Sequence, residues 1–216
     1  MSSSPSKQSA SLFVVLEGID GSGTTTQLAR LERHLANIGR RVHATREPSA
    51  GPVGRMLREI LLGQHRHADG GVVDGRTMAL LFAADRNDHL AREVEPALAT
   101  GMDVISDRYV WSSLAYQALE AERDWVLTLA RGIRVPDLTI LLDVTIETAF
   151  ARRALAGRPV ERYDDDIILK RVAENYRKLA AVHDGAHVID GGGSVDEVER
   201  RVIAVVDGHL ASERSR

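Results

Sequence analysis

The 216-residue sequence contains no cysteine, which excludes disulfides and thiolate-bound metal sites. Long apolar runs are also missing. The run Leu138–Leu142 is far shorter than a membrane span, and the serine-rich start lacks the apolar core of a signal peptide. The net charge of -3 and the pI near 6.2 leave no basic excess for general nucleic-acid binding. We therefore expect a cytoplasmic protein that binds neither membranes nor nucleic acid.

Lysine is scarce, since only Lys7, Lys170 and Lys178 occur among 28 basic residues. A genome-wide preference for arginine codons explains this composition more simply than selection of arginine for phosphate binding. The chemical consequence is the same in either case, because no lysine lies between Ser9 and Leu169. Any positive group that faces a phosphate in this span must be arginine or a bound metal, unless a chain end reaches it.

The length suits one α/β domain, which we assign to residues 11–216, with residues 1–10 as a disordered N-terminal tail. Apolar runs alternate with segments of helical periodicity. They predict strands at 13–16, 41–45, 102–106, 138–142 and 187–189. Alternation of this kind implies a five-stranded parallel sheet flanked by helices, with ligands bound at the carboxyl ends of the strands.

Helices are predicted between these strands from periodicity, capping residues and chain breakers. A capping box at Ser194 and Glu197 begins the last helix. Pro96 is expected to close the helix at 76–95, because proline has no N–H and clashes with the preceding turn. The first helix is expected to end near Gly39. The remaining helices are expected to cover 53–62, 112–117, 123–131, 146–156 and a segment around 168–179.

A glycine-rich turn follows the first predicted strand and matches the phosphate-binding pattern G-x-x-x-x-G-K-[ST] except at one position. Gly18 and Gly23 fit the pattern, Thr24 stands where lysine is normal, and Thr25 occupies the position of the Mg²⁺ ligand. Glycines let backbone N–H groups converge on an anion, and the dipole of the following helix favours negative charge. We expect the loop to bind nucleotide phosphates through Gly18, Gly21, Ser22, Gly23, Thr24, Thr25 and Thr26.

Polar residues also follow the other predicted strands at the edge where ligands bind. Asp20 follows the first strand, Glu47 the second, and Asp107 and Arg108 the third. Arginine guanidinium groups bind phosphoryl oxygens in bidentate fashion. We therefore expect Arg58, Arg86 and Arg108 to converge on a second, acceptor phosphate. Two phosphate sites indicate phosphoryl transfer.

The sequence from Phe13 to about Leu210 resembles the thymidylate kinase family. The segments that carry the resemblance are Glu17–Gly23, Thr45–Pro48, Met56–Leu62, Leu80–Arg86, Asp107–Gln117 and Pro136–Asp143. The resemblance implies the P-loop nucleoside-monophosphate-kinase fold with a small mobile lid. It also implies ATP-dependent phosphorylation of dTMP to dTDP with Mg²⁺, usually by a homodimer.

The resemblance implies a role for each matching acceptor residue. Phe82 would stack on thymine, Arg86 would donate to a base oxygen, and Tyr116 would lie by the sugar and disfavour a ribose 2′-hydroxyl. Packing in the core is the alternative for Phe82 and Tyr116. Asp20 would contact the sugar or metal region, Arg108 would bridge the two phosphates, and Asp107 would hold a metal-bound water. The implied dTMP site also contains Glu47, Arg58, Ser112, Ser113 and Gln117.

Residues at about 152–166 resemble the family's flexible lid, with Gly157 and Pro159 breaking the helix on either side of Arg158. Glycine follows Asp20, as in members that supply a catalytic arginine from the lid. We predict that Arg158 or Arg162 compensates for the missing lysine. Arg152 and Arg153 are interpreted as solvated residues of an ordinary helix.

Two other functions fit the same residues. One is a catalytically impaired nucleotide-binding dimer that kept the fold without the chemistry. The other is a P-loop kinase that acts on another deoxynucleoside monophosphate. A GTPase is disfavoured, because a guanine-reading Asn-Lys-x-Asp segment needs a lysine that the span between Ser9 and Leu169 lacks.

Overall fold

A computed structural model describes residues 11–157, 159 and 161–214. Its centre is a parallel sheet of five strands in the order β2-β3-β1-β4-β5. The strands are β1 Phe13–Glu17, β2 Val42–Arg46, β3 Asp103–Asp107, β4 Leu138–Asp143 and β5 Ala186–Asp190. The five-stranded parallel α/β fold predicted from the sequence is confirmed, and the strand positions agree within a residue or two. The expected disordered tail at 1–10 lies outside the described residues, and the assignment of one domain stays a prediction.

The central strand β1 is buried at all five residues because β3 and β4 pair with it on either side and helices cover both faces. Nine α-helices occur in the described part of the chain. They are α1 Thr24–Asn37, α2 Pro52–Leu61, α3 Gly75–His89, α4 Glu95–Ala99, α5 Val110–Tyr116, α6 Arg123–Leu129, α7 Ile146–Ala156, α8 Asp166–Val182 and α9 Val195–Arg214. None of these described helices is long and apolar enough to cross a membrane.

The helical segment around Pro96 differs from the prediction. A π-helical turn at Leu90–Val94 joins α3 to α4, and the chain stays helical as far as Ala99. The N–H of Glu95 donates to the carbonyl of Leu90, so the turn before the proline is one residue wider than an α-turn. Pro96 then lies in the first turn of α4, where its missing N–H leaves no bond unmade. The prediction that Pro96 closes the helix is therefore wrong.

The last helix begins with the capping box predicted from the sequence. The Ser194 N–H donates to Glu197 Oε2 at 2.7 Å, and the Glu197 N–H donates back to Ser194 Oγ at 3.3 Å. Val198 and Val202 of α9 pack with Leu31 and Leu35 of α1 against one face of the sheet. The start of α1 is thereby fixed at the carboxyl edge of the strands.

Candidate active site

The loop between β1 and α1 has a backbone that requires glycine. Gly21 has φ +89°, and a β-carbon there would lie 2.4 Å from the carbonyl oxygen of Ala149. Gly23 also has positive φ and is the residue before the first turn of α1. The free N–H groups of that turn therefore point into the space at the carboxyl edge of the sheet, where an anion is favoured.

Thr24 is the first residue of α1 and is only 6% exposed. It faces the cavity described below, as the lysine of the usual motif would. Lys170 and Lys178 are both exposed residues of α8, and neither lines this cavity. The described residues therefore bring no lysine to the phosphate-binding loop.

One cavity of about 630 Å³ joins the glycine loop to the acceptor residues predicted from the sequence. Its wall includes most of the expected site, namely Asp20, Gly21, Ser22, Gly23, Thr24, Thr25, Thr26, Glu47, Arg58, Phe82, Arg86, Asp107, Arg108, Ser112, Tyr116 and Gln117. Gly18 and Ser113 do not line it. Gly18 packs beneath the loop against Leu142, and Ser113 lies behind Arg86.

Thr25 and Asp107 meet at the floor of the cavity. The Thr25 hydroxyl donates to Asp107 Oδ2 at 2.5 Å, which brings the first turn of α1 against the end of β3. The other carboxylate oxygen, Asp107 Oδ1, is buried and has no hydrogen-bond partner among the described residues. Carboxylate and hydroxyl oxygens are the ligands that Mg²⁺ prefers, and an unpartnered buried oxygen is a suitable donor for it.

Arg108 follows β3 and reaches across the cavity toward the glycine loop. Its Nη2 donates to Asp20 Oδ1 at 2.9 Å, and its backbone has φ +75°. Tyr116 donates from its hydroxyl to the other oxygen of Asp20 at 3.3 Å. Asp20, Arg108 and Tyr116 therefore form one hydrogen-bonded group between the two ends of the cavity.

Arg86 is buried in the acceptor wall and paired with a buried carboxylate. Its Nε donates to Glu47 Oε2 at 3.0 Å, and its Nη2 donates to Ser113 Oγ at 2.8 Å and to the carbonyl of Tyr109 at 3.3 Å. His89 lies 3.3 Å from the other oxygen of Glu47. These contacts fix the plane of the guanidinium.

Arg58 and Arg46 stand at the acceptor end, and neither forms a salt bridge with a described carboxylate, although the charges of Asp85 and Glu161 act on Arg58. Arg58 donates to the carbonyls of Pro48 and Ser49. Burial, and then the charge of nearby Arg46, lower the pKa of Arg58. An anion placed between them would relieve this repulsion, so the acceptor end is suited to a phosphate. Arg46, the last residue of β2, lies in the matching segment Thr45–Pro48, but the sequence did not assign it a role of its own.

The comparison with known families agrees with this geometry. The family model described as thymidylate kinase matches residues 16–202 of the chain. This chain belongs to the thymidylate kinase family. The chain is 42% identical to the probable thymidylate kinase of Pyrobaculum calidifontis over 204 residues, which are 94% of this chain and 100% of that protein. It is also 42% identical to the thymidylate kinase of Leifsonia xyli over 207 residues, covering 92% of this chain and 96% of that protein.

In this thymidylate kinase family member, Arg152 contacts the glycine loop, which the sequence did not predict. It donates from Nη1 to the carbonyl of Ser22 at 3.0 Å and from Nη2 to the carbonyl of Gly191 at 2.9 Å. No carboxylate within the described ranges pairs with it. Arg153 pairs with Asp164, and both arginines line the cavity. The interpretation of Arg152 and Arg153 as solvated is therefore wrong, because α7 lies beside the glycine loop and both side chains are engaged in tertiary contacts.

Of the two lid arginines predicted to act on the nucleotide, the structure describes one. Arg158 lies outside the described residues. Arg162 donates to the carbonyl of Val73 and to Glu120 Oε2, the latter at 3.0 Å, and it does not line the cavity. A role for Arg162 at the glycine loop requires release from Glu120, and the assignment stays a prediction.

Proposed function

We propose that the protein transfers the γ-phosphoryl group of ATP to dTMP with the help of Mg²⁺ and forms dTDP. The observation that carries the proposal is the cavity that joins a phosphate-binding loop to an acceptor end lined by Phe82 and Arg86. Phosphoryl transfer needs both substrates in one enclosure with their phosphates in line. Membership of the thymidylate kinase family supports the same reaction.

The acceptor pocket suits a thymine nucleotide. Phe82 offers a ring face on which a base can stack, and Arg86 offers donors held in a fixed plane by Glu47. A fixed donor selects the keto edge of thymine over the amino edge of cytosine, since the wrong base would leave a buried donor unpaired. The Gln117 side chain is 1% exposed, and its Oε1 has no partner within the described part of the chain. It is therefore available to a bound nucleotide.

Arginines supply the positive charge that the reaction needs. Arg46 and Arg58 would hold the acceptor phosphate, and Arg108 would face the transferred group from between the two ends. Arg152, which lies against the glycine loop without a described counter-ion, adds charge near the donor. Arg158 and Arg162 are lid residues that would add their positive charges to these groups when the lid closes.

The Mg²⁺ site would use Thr25 and Asp107. The short contact between their oxygens and the unpartnered Asp107 Oδ1 fit a divalent cation with oxygen ligands. When bound, Mg²⁺ neutralises charge on the phosphate oxygens. The protein's own part here is to hold the two ligands together at the junction of α1 and β3.

We further propose a cytoplasmic homodimer. Met56 on α2 and Leu80 on α3 are 48% and 50% exposed on two helices that pack together, and such apolar side chains suit a subunit contact. Sedimentation of the purified protein should give twice the mass of the chain. A monomer at assay concentration would refute this part.

The reaction is tested by a coupled assay of ADP formation with ATP, Mg²⁺ and a panel of acceptors. We expect turnover with dTMP to exceed turnover with dCMP, dGMP and dAMP. Activity restricted to one of those other acceptors would contradict the choice of substrate. Binding of ATP and dTMP by calorimetry without any ADP would contradict catalysis itself.

A further inference from the structure

A buried carboxylate lies beneath the loop that carries Arg108. Glu17, the last residue of β1, is 0% exposed and accepts four hydrogen bonds. The backbone N–H groups of Tyr109 and Ser112 lie 2.9 and 3.2 Å from Oε1. The hydroxyls of Ser112 and Tyr176 lie 2.8 and 2.9 Å from Oε2. Burial raises the pKa of Glu17, while the hydrogen bond from Ser112 and the charge of Arg108 oppose that rise. All four partners are hydrogen-bond donors, so the group acts as a carboxylate.

The hydroxyls of Ser112 and Tyr176 link Glu17 to Arg108. A hydroxyl has one proton, and both Ser112 and Tyr176 lie within hydrogen-bond distance of the same oxygen of Glu17. The two hydroxyl oxygens are also 2.8 Å apart, so one hydroxyl can donate to the other while the second donates to Glu17, and in either arrangement both protons are used on this side. The hydroxyl oxygens are then left to accept. Arg108 Nη1 lies 3.2 Å from Ser112 Oγ and 3.3 Å from the Tyr176 hydroxyl oxygen. The charge on Glu17 therefore orients the two acceptors of the guanidinium without touching it.

Arg108 needs such support because its backbone is strained. Its φ of +75° is the only positive value at a non-glycine residue in the described part of the chain. A strained residue keeps its conformation only where its surroundings determine it fully. Here Glu17 accepts a hydrogen bond from the N–H of the next residue, Tyr109, and Asp20 accepts one from Nη2 of the Arg108 guanidinium.

We propose that Glu17 and Tyr176 are positioning residues for Arg108. They set the direction of its guanidinium toward the transferred phosphoryl group through the Ser112 and Tyr176 hydroxyls. The inference rests on the proposed function, since the part of Arg108 in phosphoryl transfer belongs to that proposal. Neither Glu17 nor Tyr176 lines the cavity, so their effect on the reaction is indirect.

Steady-state kinetics of Tyr176→Phe test the inference with the least disturbance, because the ring stays and only the hydroxyl is lost. We expect kcat to fall about tenfold or more, in line with loss of a hydrogen bond to a charged group, with little change in KM for ATP. Glu17→Gln should act more strongly. The amide of the new glutamine would donate to the oxygen of one hydroxyl. The proton of that hydroxyl would then point toward the Arg108 guanidinium. Asn175→Ala is the matched control, since it removes a 3.0 Å bond from α8 to the carbonyl of Ala115 in α5 without touching Arg108. It should keep wild-type kcat.

A double-mutant cycle separates positioning from general loosening. If Tyr176 acts through Arg108, then Tyr176→Phe in an Arg108→Met background should lower kcat no further. An equal further loss in that background, or an equal loss in Asn175→Ala, would overturn the inference.

If the wild-type protein makes no dTDP, the proposed function fails by itself, and crystal structures of wild type and Tyr176→Phe then decide. A displaced Arg108 guanidinium in the variant supports positioning. An unchanged guanidinium overturns it.

Discussion

The buried pair of Arg86 and Glu47 gives the sharpest prediction about stability. Their side chains are each 3% exposed, and Glu47 is the one carboxylate paired with Arg86 among the described residues. Glu47→Gln keeps the shape of the side chain and removes its charge, which leaves a buried guanidinium without a counter-ion. Breaking such a pair on one side costs about 3–5 kcal/mol. Ser113 and the carbonyl of Tyr109 remain as acceptors, so we expect the lower end, about 3 kcal/mol.

Thermal unfolding followed by circular dichroism measures this cost. For a chain of this size, about 3 kcal/mol corresponds to a fall in Tm of roughly 6–12 °C. The control is Glu95→Gln, which breaks a surface pair with Arg134 whose side chains are 39% and 44% exposed. An exposed pair contributes about 0.2–1 kcal/mol, so Tm should hardly move. Equal shifts for the two variants would refute the reasoning. A Glu47→Gln protein that stays folded should also show a raised KM for dTMP.

Three further predictions concern the phosphate end of the cavity. Arg152→Met should lower kcat/KM for ATP in the coupled assay, and Thr24→Lys should restore part of the loss; a loss that lysine leaves untouched would contradict a charge role. Gly21→Ala should abolish ATP binding by calorimetry, because its β-carbon meets a backbone carbonyl, whereas Gly39→Ala has a similar positive φ but open space and should bind normally. Asp107→Asn should raise the Mg²⁺ concentration needed for half-maximal activity at least tenfold; an unchanged magnesium dependence would remove Asp107 from the metal site.

Local patterns in the sequence were enough to predict much of the fold. The apolar run of β1, the glycine turn and the periodicity of α1 specify strand, loop and helix in order, because each depends on neighbours in the chain. The helix around Pro96 was not predictable in the same way. Proline is disfavoured in an ordinary helix interior, but the π-helical turn at Leu90–Val94 places Pro96 in the first turn of α4 instead.

The side chains around the site were less predictable, because their roles depend on residues far away in the sequence. Glu17 was visible only as part of a matching segment, and its donors come from residues 92 to 159 positions later. Arg152 looked like any polar helix residue until the end of α7 was placed beside the glycine loop. Arg86 was expected at a base oxygen, and the buried Glu47 that fixes its plane could not be paired with it from spacing alone.

The central claim is that arginines and Mg²⁺ neutralise the migrating phosphate without an ammonium group from the loop. Single-turnover formation of dTDP by metal-replete wild type and Thr24→Lys tests it most directly. We predict a measurable rate for wild type and a change in that rate of less than about tenfold with lysine. If a hydrogen bond to a charged group were missing in wild type, lysine would accelerate the reaction by about tenfold or more. Wild-type protein that binds both nucleotides yet forms dTDP only when position 24 carries lysine would contradict the claim.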